Sequence, residues 1–175
     1  MRYKEYFGAE GGLTLSGGEP LLQAAFAAEL FALAHEAGIH TCLDTSGCLW
    51  NEDVRGLLRV CDRVLLDIKY TTEAQYKEHV GCPLSAPLAF LGCLDEMKIP
   101  TTLRQVILPT LNDTKESVRA LRTIAEAHPC VDKVELLPFR KLCTVKYDRL
   151  GIPFPFAHIP EPTAEKMAEL EALLK

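Results

Sequence analysis

The sequence has no block of five or six like charges, no apolar run approaching the ~20 residues that cross a bilayer, and no low-complexity or repeated segment. Each absence excludes a class. With 19 Lys+Arg against 24 Asp+Glu, the net charge is −5, and no basic stripe is present to follow a nucleic-acid backbone. The opening Met1-Arg2-Tyr3-Lys4-Glu5-Tyr6 lacks the apolar centre of a signal peptide, so the expected setting is cytoplasmic, without membrane or nucleic acid as partner. The seven cysteines never stand as C-x-x-C, the close pairing that zinc and redox sites favour. They read as reduced, small core residues. No G-x-S-x-G is present, and no histidine pair has trustworthy metal-ligand spacing.

What the 175 residues do contain is an alternation of short β-branched or leucine-rich runs with longer helical patterns. That rhythm marks βα units around a mainly parallel sheet, forming a single α/β domain over residues 1–175. Strands are expected at Leu13–Ser16, Ile39–Asp44, Arg63–Lys69, Thr101–Leu108 and Lys133–Leu137. Helices are expected at Leu21–Ala37, Asn51–Val60, Thr72–His79, Pro87–Met97, Thr114–Ala127 and Thr163–Leu174. In the first helix Leu22, Ala25, Phe26, Leu30 and Leu33 recur at helical spacing, and Gly38 ends it. The proline-rich stretch Leu142–Pro162 reads as an irregular loop, too apolar to be a free linker and therefore packed back on the body.

In such folds the chemistry lies at the carboxyl ends of the strands. There the sequence places Ser16-Gly17-Gly18-Glu19-Pro20, Asp44-Thr45-Ser46-Gly47, Asp67-Ile68-Lys69, Gln105–Pro109 and Pro138-Phe139-Arg140. Two glycines before a helix admit close backbone approach to a ligand. Glu19 opposes an anion there and no P-loop lysine follows, which favours a ligand ammonium; a tight turn with Glu19 as helix cap is the structural alternative. Asp67 and Lys69, two apart on a strand, share one face. They suit a ligand's hydroxyl and carboxylate, or a self-satisfied ion pair. Asp44 and Thr45 add acceptors at the same rim, or a cap.

Leu15-Ser16-Gly17-Gly18-Glu19-Pro20, Cys42-Leu43-Asp44-Thr45-Ser46-Gly47, Leu66-Asp67-Ile68-Lys69 and Glu135-Leu136-Leu137-Pro138-Phe139 together resemble the radical S-adenosylmethionine family, in order along nearly the whole chain. Within it the pattern is most similar to the activating enzymes of glycyl radical enzymes. The resemblance implies a partial parallel (β/α) barrel of the radical SAM type that holds a [4Fe-4S] cluster, cleaves S-adenosylmethionine reductively and removes a hydrogen atom from a backbone glycine of a partner. It implies that Gly17, Gly18 and Glu19 meet the methionyl ammonium and that Asp44 and Thr45 face the methionyl end. Lys69 would meet the carboxylate and Asp67 the ribose, with Ile68 beside them, and Val106 the adenine edge. Arg140 stands where a ligand-contacting histidine is expected. The partner implied is a glycyl radical enzyme, pyruvate formate-lyase first, with flavodoxin or ferredoxin as reductant.

The family's C-x-x-x-C-x-x-C loop is absent from this sequence, in which sixteen residues precede Gly17. The expectation is therefore a carboxyl-terminal portion with the first βα unit missing, the cluster belonging only to a full-length parent, and no radical chemistry from the chain alone. An uncovered sheet edge should then promote self-association. Two other functions fit the residues: a cluster-free S-adenosylmethionine-binding or interaction module, and a Schiff-base aldolase using Lys69.

Overall fold

The computed structural model describes residues 11–175. Five parallel strands, β1 (Gly12–Leu15), β2 (His40–Thr45), β3 (Arg63–Asp67), β4 (Thr101–Ile107) and β5 (Val131–Pro138), lie side by side in chain order. Helices α1 (Ala24–Glu36), α2 (Glu52–Leu58), α3 (Glu73–His79), α4 (Ser85–Met97) and α5 (Lys115–Glu126) fill the crossovers. After β5 come α6 (Thr144–Leu150) and α7 (Ala164–Glu171). A strictly sequential parallel order is the arrangement of an open (β/α) barrel, since each crossover advances one strand in the same direction.

Strand alternation separates two faces. Leu43, Val64, Leu66, Ile68, Leu103 and Ile107 point to the helix side and are buried in the main core. Phe31 of α1, Leu57 of α2, Tyr76 of α3, Phe90 of α4 and Leu121 of α5 close over them. Truncating Phe31 to alanine there would cost about 3–5 kcal/mol. Asp44, Asp67 and Arg104, at intervening positions, occupy the opposite face and are only partly buried.

Helix starts follow local chemistry. Asn51, Thr72, Thr114 and Thr163 each cap a helix through a side-chain oxygen that accepts from the N–H of Val54, Gln75, Ser117 and Lys166, respectively. Gly38, at φ +68°, closes α1 as the sequence suggests.

Two expectations are corrected. The residues Leu22, Phe26 and Leu33 of the expected first helix are exposed, and the buried face is instead Ala24, Ala27, Phe31 and Ala34, with α1 lying against α2. The stretch Leu142–Pro162 is not wholly irregular: it contains α6, ended by Gly151 at φ +65°. The remainder does pack back. Phe154 and Phe156 lie against Phe139, which with Leu108 and Ile159 forms a second apolar cluster.

Candidate functional site

The polar rim is built from the carboxyl ends of β1–β4. Gly17, at φ +142°, turns the chain out of β1, and a Cβ placed on Gly17 or Gly18 would meet nothing within 4 Å. The turn is open to a ligand on its backbone. The following Glu19 is not free: Oε1 accepts from Leu21 N (3.1 Å) and Thr45 Oγ (2.6 Å), Oε2 from Ser46 N (3.0 Å) and Ser46 Oγ (2.5 Å). Its carboxylate thus caps the 3₁₀ turn Pro20–Gln23 and staples the end of β1 to the end of β2. Thr45, buried on the helix side, is held by the same contact and accepts from Gly47 N at 3.1 Å.

Across the open face the charged side chains converge. Asp44 accepts from Ser16 Oγ at 3.0 Å and pairs with Arg104 Nη2. Arg104 also reaches Asp67 Oδ1 at 2.9 Å, and Asp67 Oδ2 pairs with Lys69 Nζ at 2.5 Å. Burial works against the Arg104 charge, but Asp67 and Asp44 more than offset it and hold the guanidinium above its ordinary range. Lys69, just beyond β3, is also fixed through its backbone: its N–H donates to the Tyr76 hydroxyl at 3.1 Å and its carbonyl accepts from Asn112 Nδ2 at 3.2 Å.

Asn112 is almost fully buried and organises the next part of the rim. Its Oδ1 accepts from Leu108 N at 2.7 Å, while Nδ2 also donates to the Val106 carbonyl at 2.8 Å. Val106 and Lys69 thereby line one cavity of about 290 Å³ with Tyr70, His79, Leu108 and Phe156. It is mainly apolar and suits a flat ring.

The structure therefore gathers Asp44, Asp67 and Lys69 into one network and sets Val106 beside Lys69. Ile68 is different: its side chain lies in the helix-side core, and its carbonyl accepts from Gln105 Nε2 at 3.1 Å. Arg140 pairs with Glu161 at 2.6 Å, and that guanidinium, with the Lys141 N–H, holds the Glu161 carboxyl below its usual range. Sequence reasoning missed Arg104 and Asn112. Arg104 is placed by its register opposite Asp67, which only the strand pairing reveals; Asn112, in a loop, offered only its place in an Asn-Asp-Thr helix start.

Among the described residues, no group of three or more His, Cys, Asp or Glu side chains is placed to hold a metal ion. Since the C-x-x-x-C-x-x-C spacing is also absent from the sequence, the described residues do not fit a [4Fe-4S] cluster.

The chain is similar to known proteins in sequence and in fold. Residues 1–122 match the radical SAM superfamily model. The pyruvate formate-lyase-activating enzyme of Clostridium pasteurianum is 38% identical over 176 residues, covering 100% of this chain and 74% of the relative. That of Staphylococcus epidermidis is 37% identical, covering 97% and 70%. Among solved structures, a domain of a pyruvate-formate lyase-activating enzyme from Bacteroides vulgatus superposes with TM-score 0.76 at 21% identity, over 93% of this chain and 92% of that one. A radical SAM methyltransferase from Sphaerobacter thermophilus superposes with TM-score 0.68 at 17% identity, over 99% and 50%. These two likenesses speak to the fold. By sequence, the chain belongs to the radical SAM superfamily and, within it, to the pyruvate formate-lyase-activating enzymes.

Proposed function

We propose that this chain is the S-adenosylmethionine-holding part of an activating enzyme that cleaves that sulfonium reductively and takes a hydrogen atom from a backbone glycine of a glycyl radical enzyme, pyruvate formate-lyase first. S-adenosylmethionine supplies the 5′-deoxyadenosyl group for that chemistry. The observation that carries the reading is the convergence of the Asp44–Arg104–Asp67–Lys69 network with the open Gly17-Gly18 turn on one side and the Val106-lined cavity on the other.

The ligand's ends differ in chemistry, and so do the ends of this rim. Because the Glu19 carboxylate is committed to four protein donors, the ligand ammonium is met by the backbone carbonyls around Gly17 and Gly18 and by Asp44. Lys69 turns its ammonium to the methionyl carboxylate, and Asp67 accepts from the ribose hydroxyls. Val106 and the aromatic wall take the adenine. Thr45 acts by holding Glu19, Ile68 through its backbone, and Arg140 from the outer loop. Because neither the described residues nor the cysteine spacing of the sequence offers a cluster site, the chain binds and orients but does not cleave; flavodoxin or ferredoxin would serve the cluster-bearing enzyme.

Calorimetric titration with S-adenosylmethionine tests this. The chain should bind it, and Lys69→Met should weaken binding by about 10- to 100-fold. No binding at millimolar ligand, or an unchanged Lys69→Met, overturns the site. A glycyl radical raised in pyruvate formate-lyase by the chain alone under reducing conditions would overturn its catalytic incompleteness.

A further inference from the structure

Seven cysteines are free, yet two of them touch: the Cys82 thiol donates to Cys48 Sγ at 2.9 Å. No other cysteine pair among the described residues shares a hydrogen bond. Cys48 follows the Thr45-Ser46-Gly47 turn at the end of β2, and Cys82 lies in the connection between α3 and α4, 34 positions along the chain. Both are part-buried rather than sealed in the core. Gly47, at φ +66°, is packed so tightly that a Cβ would meet Leu66 at 2.7 Å and Phe90 at 3.1 Å, which fixes where Cys48 emerges. On the other side Tyr76, fully buried in α3, lies within electrostatic reach of both sulfurs.

We propose that Cys48 and Cys82 are a reversible thiol–disulfide site that low-molecular-weight disulfides oxidise, locking the β2–α2 loop to the α3–α4 connection. The direction of reaction follows from the environment. Burial, then the contact with Cys48, hold the Cys82 thiol above its ordinary range, and in the contact Cys82 donates while Cys48 is the accepting sulfur. Cys48, losing its proton to solvent, attacks the external disulfide, forms a mixed disulfide and expels one thiolate. The Cys82 sulfur, already in contact, then attacks Cys48, loses its own proton and expels the second. The two protein thiols lose two electrons and two protons, and the external disulfide becomes two thiols. Proximity drives the second step, since the resolving sulfur is in place before the first bond forms.

The site lies beside the rim but uses none of its ligand-facing groups, so it stands whether or not the functional reading does. The test is exposure of the whole chain to oxidised glutathione, alkylation, and non-reducing peptide mapping. The expected product is a single linked peptide joining Cys48 and Cys82, two hydrogens lighter than its parts and released by dithiothreitol. Closing a loop of about 35 residues should also raise the thermal midpoint by roughly 5–10 °C. Cys82→Ser should instead retain glutathione on Cys48 with no such rise. Cys48 and Cys82 remaining alkylatable, or linkage to other cysteines in their place, overturns the proposal. Should Cys82→Ser fail to fold by circular dichroism, the wild-type peptide map decides alone.

Discussion

Arg104 Nε donates to Asp67 Oδ1 at 2.9 Å across the β3–β4 ladder, where the two residues are register partners. The same guanidinium pairs with Asp44 from β2, so one cation spans carboxylates from two neighbouring strands. Replacing it by leucine leaves both facing each other without their shared partner. Arg104→Leu should lose about 3 kcal/mol in urea denaturation at neutral pH. Adding Asp67→Asn should recover part of that loss; an unchanged midpoint for the single variant would show that solvent already satisfies the carboxylates.

Asn112 binds three backbone groups, those of Leu108, Lys69 and Val106. Asn112→Ala should lower stability by about 3 kcal/mol, because buried N–H and C=O groups are left unpaired. The same change should weaken S-adenosylmethionine binding, since Lys69 and Val106 lose their common anchor. Wild-type affinity in a folded Asn112→Ala would remove Asn112 from the positioning role.

Glu19→Gln puts an amide nitrogen among four donors. At least one donor must lose its acceptor, and the expected loss is about 2 kcal/mol in a thermal or urea melt. Hydrogen exchange should rise first at Ser46 N–H. Equal protection of that amide in both proteins would count against the staple.

Acid sensitivity has a definite sign at Asp62. Burial pulls this carboxyl up, but the Thr41 N–H, His35 ring and Thr41 hydroxyl outweigh it and hold it below the usual carboxylate range. A depressed folded value means the carboxylate's stabilisation is complete above that range and is lost as pH falls through the lowered value. Stability of the wild type should therefore decline from about pH 4 downward, and Asp62→Asn should flatten that part of the profile. Parallel profiles for the two proteins would reject the assignment.

Leu22 in the 3₁₀ turn before α1 and Phe26 and Leu33 on α1 are exposed apolar side chains, and β1 is an outer strand among the described residues. Light scattering should show the apparent mass rising with concentration, and Phe26→Lys should suppress the rise. A constant monomer mass for the wild type would show that this face is self-sufficient.

The βα rhythm made all five strands legible, because parallel strands between helices read as compact apolar runs bounded by helix starts and turns. The helix faces were less legible. In α1 the covered residues are Ala24, Ala27, Phe31 and Ala34 while Phe26 and Leu33 are exposed, and hydrophobicity alone cannot distinguish an apolar residue that is covered from one that is not. α6 was hidden by the flanking prolines, which describe the chain on either side of Thr144–Leu150 rather than the helix itself. Asp67 and Lys69 were readable from their spacing of two. Arg104 needed the strand register, and Asn112 needed three contacts from distant parts of the chain, neither of which a linear pattern carries.

Asp44, Arg104, Asp67 and Lys69 present two charges of each sign already in contact. A zwitterionic guest entering such a face exchanges partners and adds none: its ammonium takes Asp44 from Arg104, Arg104 keeps Asp67, and Lys69, set loose from Asp67, receives its carboxylate. The net charge of the face is the same before and after. Binding of the methionyl end should therefore depend little on ionic strength, and its selectivity rests on geometry more than on attraction from afar.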